Sequence, residues 1–168
     1  MIVLICGLPG VGKTSLAREL AVLLNATVLS TDKIRKELIP RPTYSRKERK
    51  MIYGVLLLMA KYLHEARVNC ILDATFNQKR SRDKVKKVLK LSENQIVTIE
   101  CVCPKQIVLE RMKMRKGDYS DADFRIYERM QKIFEPVDVP HITVDCRFNP
   151  RQNAQFAADN IKKHESRQ

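Results

Sequence analysis

"IVLICGLPGVGKTSLARELAVLL", Ile2 to Leu24, reads as a buried strand, a glycine-rich turn and a helix in direct succession. The run Ile2–Cys6 is apolar throughout, the pattern of a strand covered on both faces. Gly7 to Thr14, "GLPGVGKT", satisfies G-x-x-x-x-G-K-[ST] with the strand before it and the helix after it that this motif requires. Its glycines permit a tight turn whose backbone N–H groups face phosphate at the start of a helix. Gly7, Leu8, Pro9, Gly10, Val11, Gly12, Lys13, Thr14 and Ser15 are therefore expected to cradle ATP. Lys13 would reach the β- and γ-phosphates, and Thr14 would ligate Mg²⁺.

Working outward, short β-rich runs at 2–6, 27–30, 70–73, 96–103 and 142–146 alternate with longer helical patterns. The helical stretches are 13–24, 45–67, 79–91, 104–116 with 121–134, and 150–164. Ile52, Leu56, Met59 and Leu63 recur at helical spacing and predict an apolar face on the middle helix. Such alternation predicts an α/β fold, a parallel sheet wrapped by helices. Arg41-Pro42 and Gly117-Asp118 mark loops inside one domain spanning residues 1–168.

In open α/β sheets the ligand sits beyond the carboxyl ends of the strands, which directs attention to the residues found there. Asp32 follows the second strand, and Lys33, Arg35 and Lys36 crowd the first turn of the segment it opens. Cations there oppose the helix dipole, and no Glu or Gln stands at the third position to complete a capping box. A hydroxyl acceptor needs a carboxylate to receive its proton and a cation to hold the molecule. Asp32 is thus the expected general base and Arg35 the expected acceptor clamp, with helix capping by Ser30, Thr31 or Asp32 as the structural alternative.

Asp73 ends the third apolar run, where a carboxylate can hold Mg²⁺ directly or through water, or touch the acceptor. Thr75, Asn77 and Arg80 follow on the same side as acceptor-binding candidates, with Arg80 and Arg82 each either a ligand of acceptor phosphate or a solvated cation. Arg111 and Arg115 stand four residues apart on one helical face. Such a pair is disfavoured unless a polyphosphate lies between them. They are expected to serve catalysis from a closing lid at roughly 111–124. The acidic cluster Asp118, Asp121 and Asp123 beside it reads as a helix start after Ser120.

In this combination and order, "GLPGVGKT", Asp32-x-x-Arg35, "LDATFNQKR" and Arg111-x-x-x-Arg115 resemble the small P-loop kinases of the AAA/zeta-toxin-like group, which includes the polynucleotide 5′-hydroxyl kinases. The likeness runs from about Ile2 to Glu135. It implies a three-layer P-loop kinase fold, with a five-stranded parallel sheet of order 2-3-1-4-5, helices on both faces and a small lid. It also implies that Asp32 is the base, that Arg35 holds the acceptor phosphate and that Arg111 and Arg115 touch the transferring group. The chain departs from the family in having no room for a phosphatase domain or for the longer sugar-nucleotide site of zeta toxins. "YSRKER", Tyr44–Arg49, is similar to a segment of adenylylsulfate kinases, but the arginine-rich helix expected next reads "KMIYGVLL".

The bulk composition narrows the partner. The 32 Lys and Arg against 19 Asp and Glu give a formal charge of +13, which favours an acidic acceptor. Nucleic acid and a small phosphorylated molecule both fit. Five cysteines without a C-x-x-C pair predict buried thiols in a reduced, cytoplasmic setting. No run is long enough for a signal peptide or a membrane span. His64, His141 and His164 show no metal-ligand spacing, and Arg147 with Phe148 follows the last strand, where the resemblance places adenine. The expected activity is ATP-dependent transfer of a phosphoryl group to a hydroxyl. An adenylylsulfate-type or other metabolite kinase and a non-catalytic ATP-binding module are the alternatives.

Overall fold

A computed structural model describes residues 1–92, 95–114 and 124–165. The elements follow in the order β1 (Ile2–Cys6), α1 (Lys13–Leu24), β2 (Thr27–Ser30), α2 (Thr31–Leu38), α3 (Arg46–Glu65) and β3 (Cys70–Asp73). After them come α4 (Lys79–Leu89), β4 (Ile96–Val102), α5 (Lys105–Met114), α6 (Phe124–Ile133), β5 (Ile142–Asp145) and α7 (Pro150–Glu165). The strands form one parallel sheet in the order β2-β3-β1-β4-β5.

β1 is central, and its five residues are all buried. Because side chains alternate across a strand, Ile2, Leu4 and Cys6 join one core with Ile34 of α2, Ile52 and Leu56 of α3, and Val85 and Leu89 of α4. Val3 and Ile5 join the other, with Leu16 and Leu20 of α1, Val108 of α5, Tyr127 of α6, and Ala157 and Ile161 of α7. The small residues Ala154, Ala157 and Ala158 bring α7 close against α1 on that face. Among the described residues no helix is long and apolar enough to cross a membrane.

One core expectation is corrected. On α3 the buried stripe is Ile52, Leu56, Leu57 and Ala60, with Leu63 partly covered, whereas Met59 is 41% exposed. The sheet-facing arc is centred toward Ala60, and Met59 falls at its edge. Four cysteines are buried as expected, Cys103 is half-buried, and all five are free.

The register explains how the functional strand ends converge. Ser30 pairs with Asp73 and Ile5 with Asp73, so β1, β2 and β3 terminate side by side. Gly7 leaves β1 at φ +140 and donates its N–H to the Thr75 carbonyl at 3.2 Å. A Cβ on Gly7 would overlap the backbone oxygen of Cys101. Gly7→Ala should therefore cost about 3 kcal/mol and lower the melting temperature by roughly 6–12 °C, a shift that calorimetry would read directly.

Candidate active site

The turn after β1 enters α1 through Gly12, at φ 113, and no side chain caps the helix. The first-turn N–H groups of α1 are thus left for a ligand, and no acidic residue competes in that turn. Pro9, Gly10, Gly12, Lys13, Thr14 and Ser15 line a cavity of about 1180 Å³. Val11 is buried in the core and Leu8 packs partly buried against it, so neither side chain lines the cavity. The Leu8 carbonyl accepts a hydrogen bond from Lys13 Nζ at 2.8 Å.

Across the loop, Thr14 Oγ1 donates to Asp73 Oδ2 at 2.7 Å. Burial pushes the Asp73 carboxyl up, while Lys13 and the hydrogen bonds from Thr14 and Ser30 hold it down. A hydroxyl beside a buried carboxylate at a phosphate loop is a hard oxygen set of the kind Mg²⁺ takes, so these two residues fit the metal that the motif implies. A folded-state value above the unfolded one means stability is fully present below the unfolded value and lost as pH rises through the raised one. At neutral pH the ligand-free protein therefore carries the cost of a buried carboxylate. Asp73→Asn should raise its melting temperature by roughly 2–4 °C, the scale of about 1 kcal/mol at this length. The same change should abolish the added stabilisation by Mg²⁺ with ATP; a variant that gains nothing alone, or still responds to the metal, would contradict this reading.

Asp32 stands in the first turn of α2, on the cavity wall. Ser30 is the N-cap residue, without a side-chain capping bond, and Asp32 spends Oδ1 on Arg35 Nη1 at 2.8 Å. Its side chain is 40% exposed. Arg35 also lines the cavity, yet its guanidinium is committed from within. Its Nε lies 3.0 Å from Glu48 Oε1 and the Tyr44 ring covers it at 4.8 Å. That ion pair is not aligned as a hydrogen bond, so Arg35 Nε and Glu48 Oε1 are buried without one.

Glu48 was not among the sequence candidates, although Ser45-x-x-Glu48 at the head of α3 is a capping-box pattern. Ser45 Oγ does accept from the Glu48 N–H at 3.2 Å. The Glu48 carboxylate does not return to Ser45. Its Oε2 instead accepts from Thr43 N at 2.6 Å, Thr43 Oγ1 at 2.8 Å and Tyr44 N at 3.1 Å. Burial alone would raise this carboxyl, but those donors and Arg35 outweigh it and hold the group below its ordinary value. Its support for the fold is present above the unfolded value and fades only as pH falls through the lowered one.

Other candidates divide. Thr75, Asn77 and Arg80 line the cavity as expected; Thr75 and Asn77 also tie the backbone through their carbonyls, to Gly7 and Glu135. Arg82 is neither a phosphate ligand nor solvated. It is buried, donating to the carbonyls of Phe76, Glu135 and Pro136 at 3.0, 3.2 and 2.6 Å. Burial wins because three carbonyls in one place satisfy a guanidinium that solvent would otherwise hold.

Arg111 reaches the cavity, but its guanidinium bridges the phosphate loop to the end of the sheet. Its Nη1 donates to Val11 O at 3.2 Å and its Nη2 to Cys146 O at 2.6 Å. The start of the expected lid is thus fastened in this state, and Arg115, Gly117, Asp118, Ser120, Asp121 and Asp123 lie outside the described residues. Phe148 is 58% exposed on the cavity wall beneath Arg147, whose guanidinium carbon is 5.2 Å from its centroid.

The basic rim of the cavity carries no motif of its own in the sequence. Arg46, Arg49 and Lys50 of α3, Lys84 of α4 and Arg129 of α6 all line it, alongside Arg80. Like charges one turn apart, as at Arg46 with Lys50, cost an isolated helix about 0.2–0.5 kcal/mol.

Comparison with known proteins bears on the family and the fold. A family model described as an AAA domain matches residues 2–137. An uncharacterized protein of Mycobacterium tuberculosis is 30% identical over 135 residues, which make up 73% of this chain and 27% of that protein. The chain thus spans only 27% of that relative's length. A probable adenylyl-sulfate kinase of Pyrococcus abyssi is 27% identical over 165 residues, covering 93% of this chain and 91% of that one. Among solved structures, a sugar kinase from Janibacter sp. superposes with a TM-score of 0.74 at 18% identity, covering 94% of this chain and 92% of that chain. The Mycobacterium tuberculosis APS kinase CysC, in complex with AMPPNP and APS, gives a TM-score of 0.71 at 22% identity, covering 96% of each chain. The fold is that of the P-loop kinases.

Proposed function

We propose, from the premise that this chain belongs to the AAA-domain family of P-loop proteins, that it transfers the γ-phosphoryl group of ATP to a hydroxyl of an anionic acceptor. The observation that carries this reading is the placement, on one cavity, of the Thr14–Asp73 pair and the Asp32–Arg35 pair. A nucleotide-binding switch uses the first pair and needs no acceptor-side base, which the second supplies. Thr14 and, directly or through water, Asp73 would hold Mg²⁺, whose chemistry when bound is to neutralise phosphate oxygens. Lys13 leaves the Leu8 carbonyl for the β- and γ-phosphates. Asp32 accepts the acceptor's proton as its oxygen bonds to the γ-phosphorus and the bond to the β-phosphate oxygen breaks, releasing ADP. Arg35 fixes the carboxylate that does so, while Glu48 fixes Arg35. Arg111 completes the charge around the moving group from the α5 side, and the sequence pattern assigns Arg115 the same role.

The test is transfer from γ-labelled ATP to a panel of 5′-hydroxyl RNA and DNA oligomers, nucleosides, nucleotides, adenylylsulfate and sugar acids. Labelled product from at least one acceptor is expected. ATP binding with no accelerated turnover across the panel would instead favour the regulatory module. Adenylylsulfate is the second reading to test, on the strength of the near full-length likeness to the Pyrococcus protein. The polynucleotide 5′ end enters through the Asp32-x-x-Arg35 and "LDATFNQKR" motifs.

A further inference from the structure

Six exposed cations line the cavity from helices other than the one that follows the phosphate loop: Arg46, Arg49 and Lys50 on α3, Arg80 and Lys84 on α4, and Arg129 on α6. Among the described residues no carboxylate pairs with any of them. The same two helices behave differently where they face away from it. On α3, Lys61 meets Glu65 one turn on at 3.7 Å; on α4, Lys79 meets Asp83 at 4.0 Å and also Asp138 at 2.6 Å. Toward the cavity the residue one turn on is another cation, Lys50 after Arg46 and Lys84 after Arg80. Such pairs repel unless an anion lies between them.

Among the described residues nothing further in the cavity answers this charge. The described carboxylates lining it are Asp32 and Asp73, and these are engaged by Arg35 and by Thr14 with Lys13 nearby. A phosphate group carries about 1.5–2 negative charges at neutral pH, so six cations match about three to four such groups. Room is not limiting, because about 1180 Å³ exceeds the ~300–1,000 Å³ of a typical single-ligand pocket.

We infer that the acceptor is polyphosphorylated, and that the paired cations of α3 and α4 bind its phosphate groups while Arg35 serves Asp32. This rests on reading the cavity as the acceptor site of a phosphotransferase. Its test is binding rather than turnover, so the two can fail separately.

The probes are inorganic phosphate, pyrophosphate and tripolyphosphate, titrated by calorimetry into the full chain saturated with Mg²⁺ and the non-transferable β,γ-imido analogue of ATP. Affinity should climb along the series. Arg46→Gln/Lys50→Gln and Arg80→Gln/Lys84→Gln should each weaken tripolyphosphate by about tenfold or more, with the affinity for the ATP analogue unchanged as proof of folding. Lys87→Gln/Lys90→Gln, at the exposed end of α4 away from the cavity, should leave it unaltered. Equal affinity for phosphate and tripolyphosphate would overturn the inference, and so would equal losses in the cavity and control variants. A 5′-hydroxyl tetranucleotide that displaces tripolyphosphate identifies the source as a nucleic-acid strand; failure to displace it identifies a small polyphosphorylated molecule.

Discussion

Asp32→Asn is expected to slow phosphoryl transfer by about 10²–10⁴-fold, the usual contribution of a positioned general base, while ATP binding stays nearly intact. The amide is nearly isosteric, and its oxygen still accepts from Arg35 Nη1, the bond that holds Asp32 at 2.8 Å. Geometry is therefore retained and the capacity to take a proton is lost. The 40% exposure of the Asp32 side chain means that the substitution leaves no large buried defect. Its melting temperature should stay close to that of the parent. Single-turnover transfer measured beside equilibrium nucleotide binding separates the two roles. A variant that transfers at the full rate removes Asp32 as the base and leaves it as a partner of Arg35 alone.

Why Asp32 was legible and Glu48 was not follows from the range over which each acts. Asp32, Asp73 and the glycine-rich loop all sit at strand ends, and a parallel sheet brings strand ends together whatever the side chains between them. Their convergence follows from alternation of strand and helix, and the register of Ser30 and Ile5 with Asp73 bears it out. Glu48 lies instead on a helix whose partner is a loop. Only the folding of Thr43 and Tyr44 back over its carboxylate turns a capping-box residue into the anchor of Arg35.

The basic rim escaped notice for a related reason. In sequence, "SRKERK" and "KRSRDK" are indistinguishable from solvated helix faces. They become one surface only when α3 and α4 cover the same side of the sheet and point their starts at the same cavity. Arg82 erred in the opposite direction. A cation in a basic run was read by its neighbours, while three carbonyls from distant segments decided its place.

Lys13→Met should have the larger effect, because it removes two things at once. The first is the cation brought to the β- and γ-phosphates, worth about 10³-fold or more in transfer by analogy with other charges on a moving phosphoryl group. The second is the charge that opposes burial at Asp73, where Lys13 is the foremost influence holding the carboxyl down. Without it Asp73 holds its proton to higher pH, and the ionised carboxylate that Mg²⁺ requires is present only at higher pH. The variant should therefore lose its residual Mg²⁺-dependent response to ATP earlier on acidification than the parent does. A simple loss of one phosphate contact would lower the rate evenly at every pH. Thermal stability with Mg²⁺ and ATP, followed as pH is lowered in parent and variant, distinguishes these outcomes. Parallel curves would mean that Lys13 acts on the nucleotide alone; an upward displacement of the variant's acid limb would mean that it also keeps Asp73 ready for the metal.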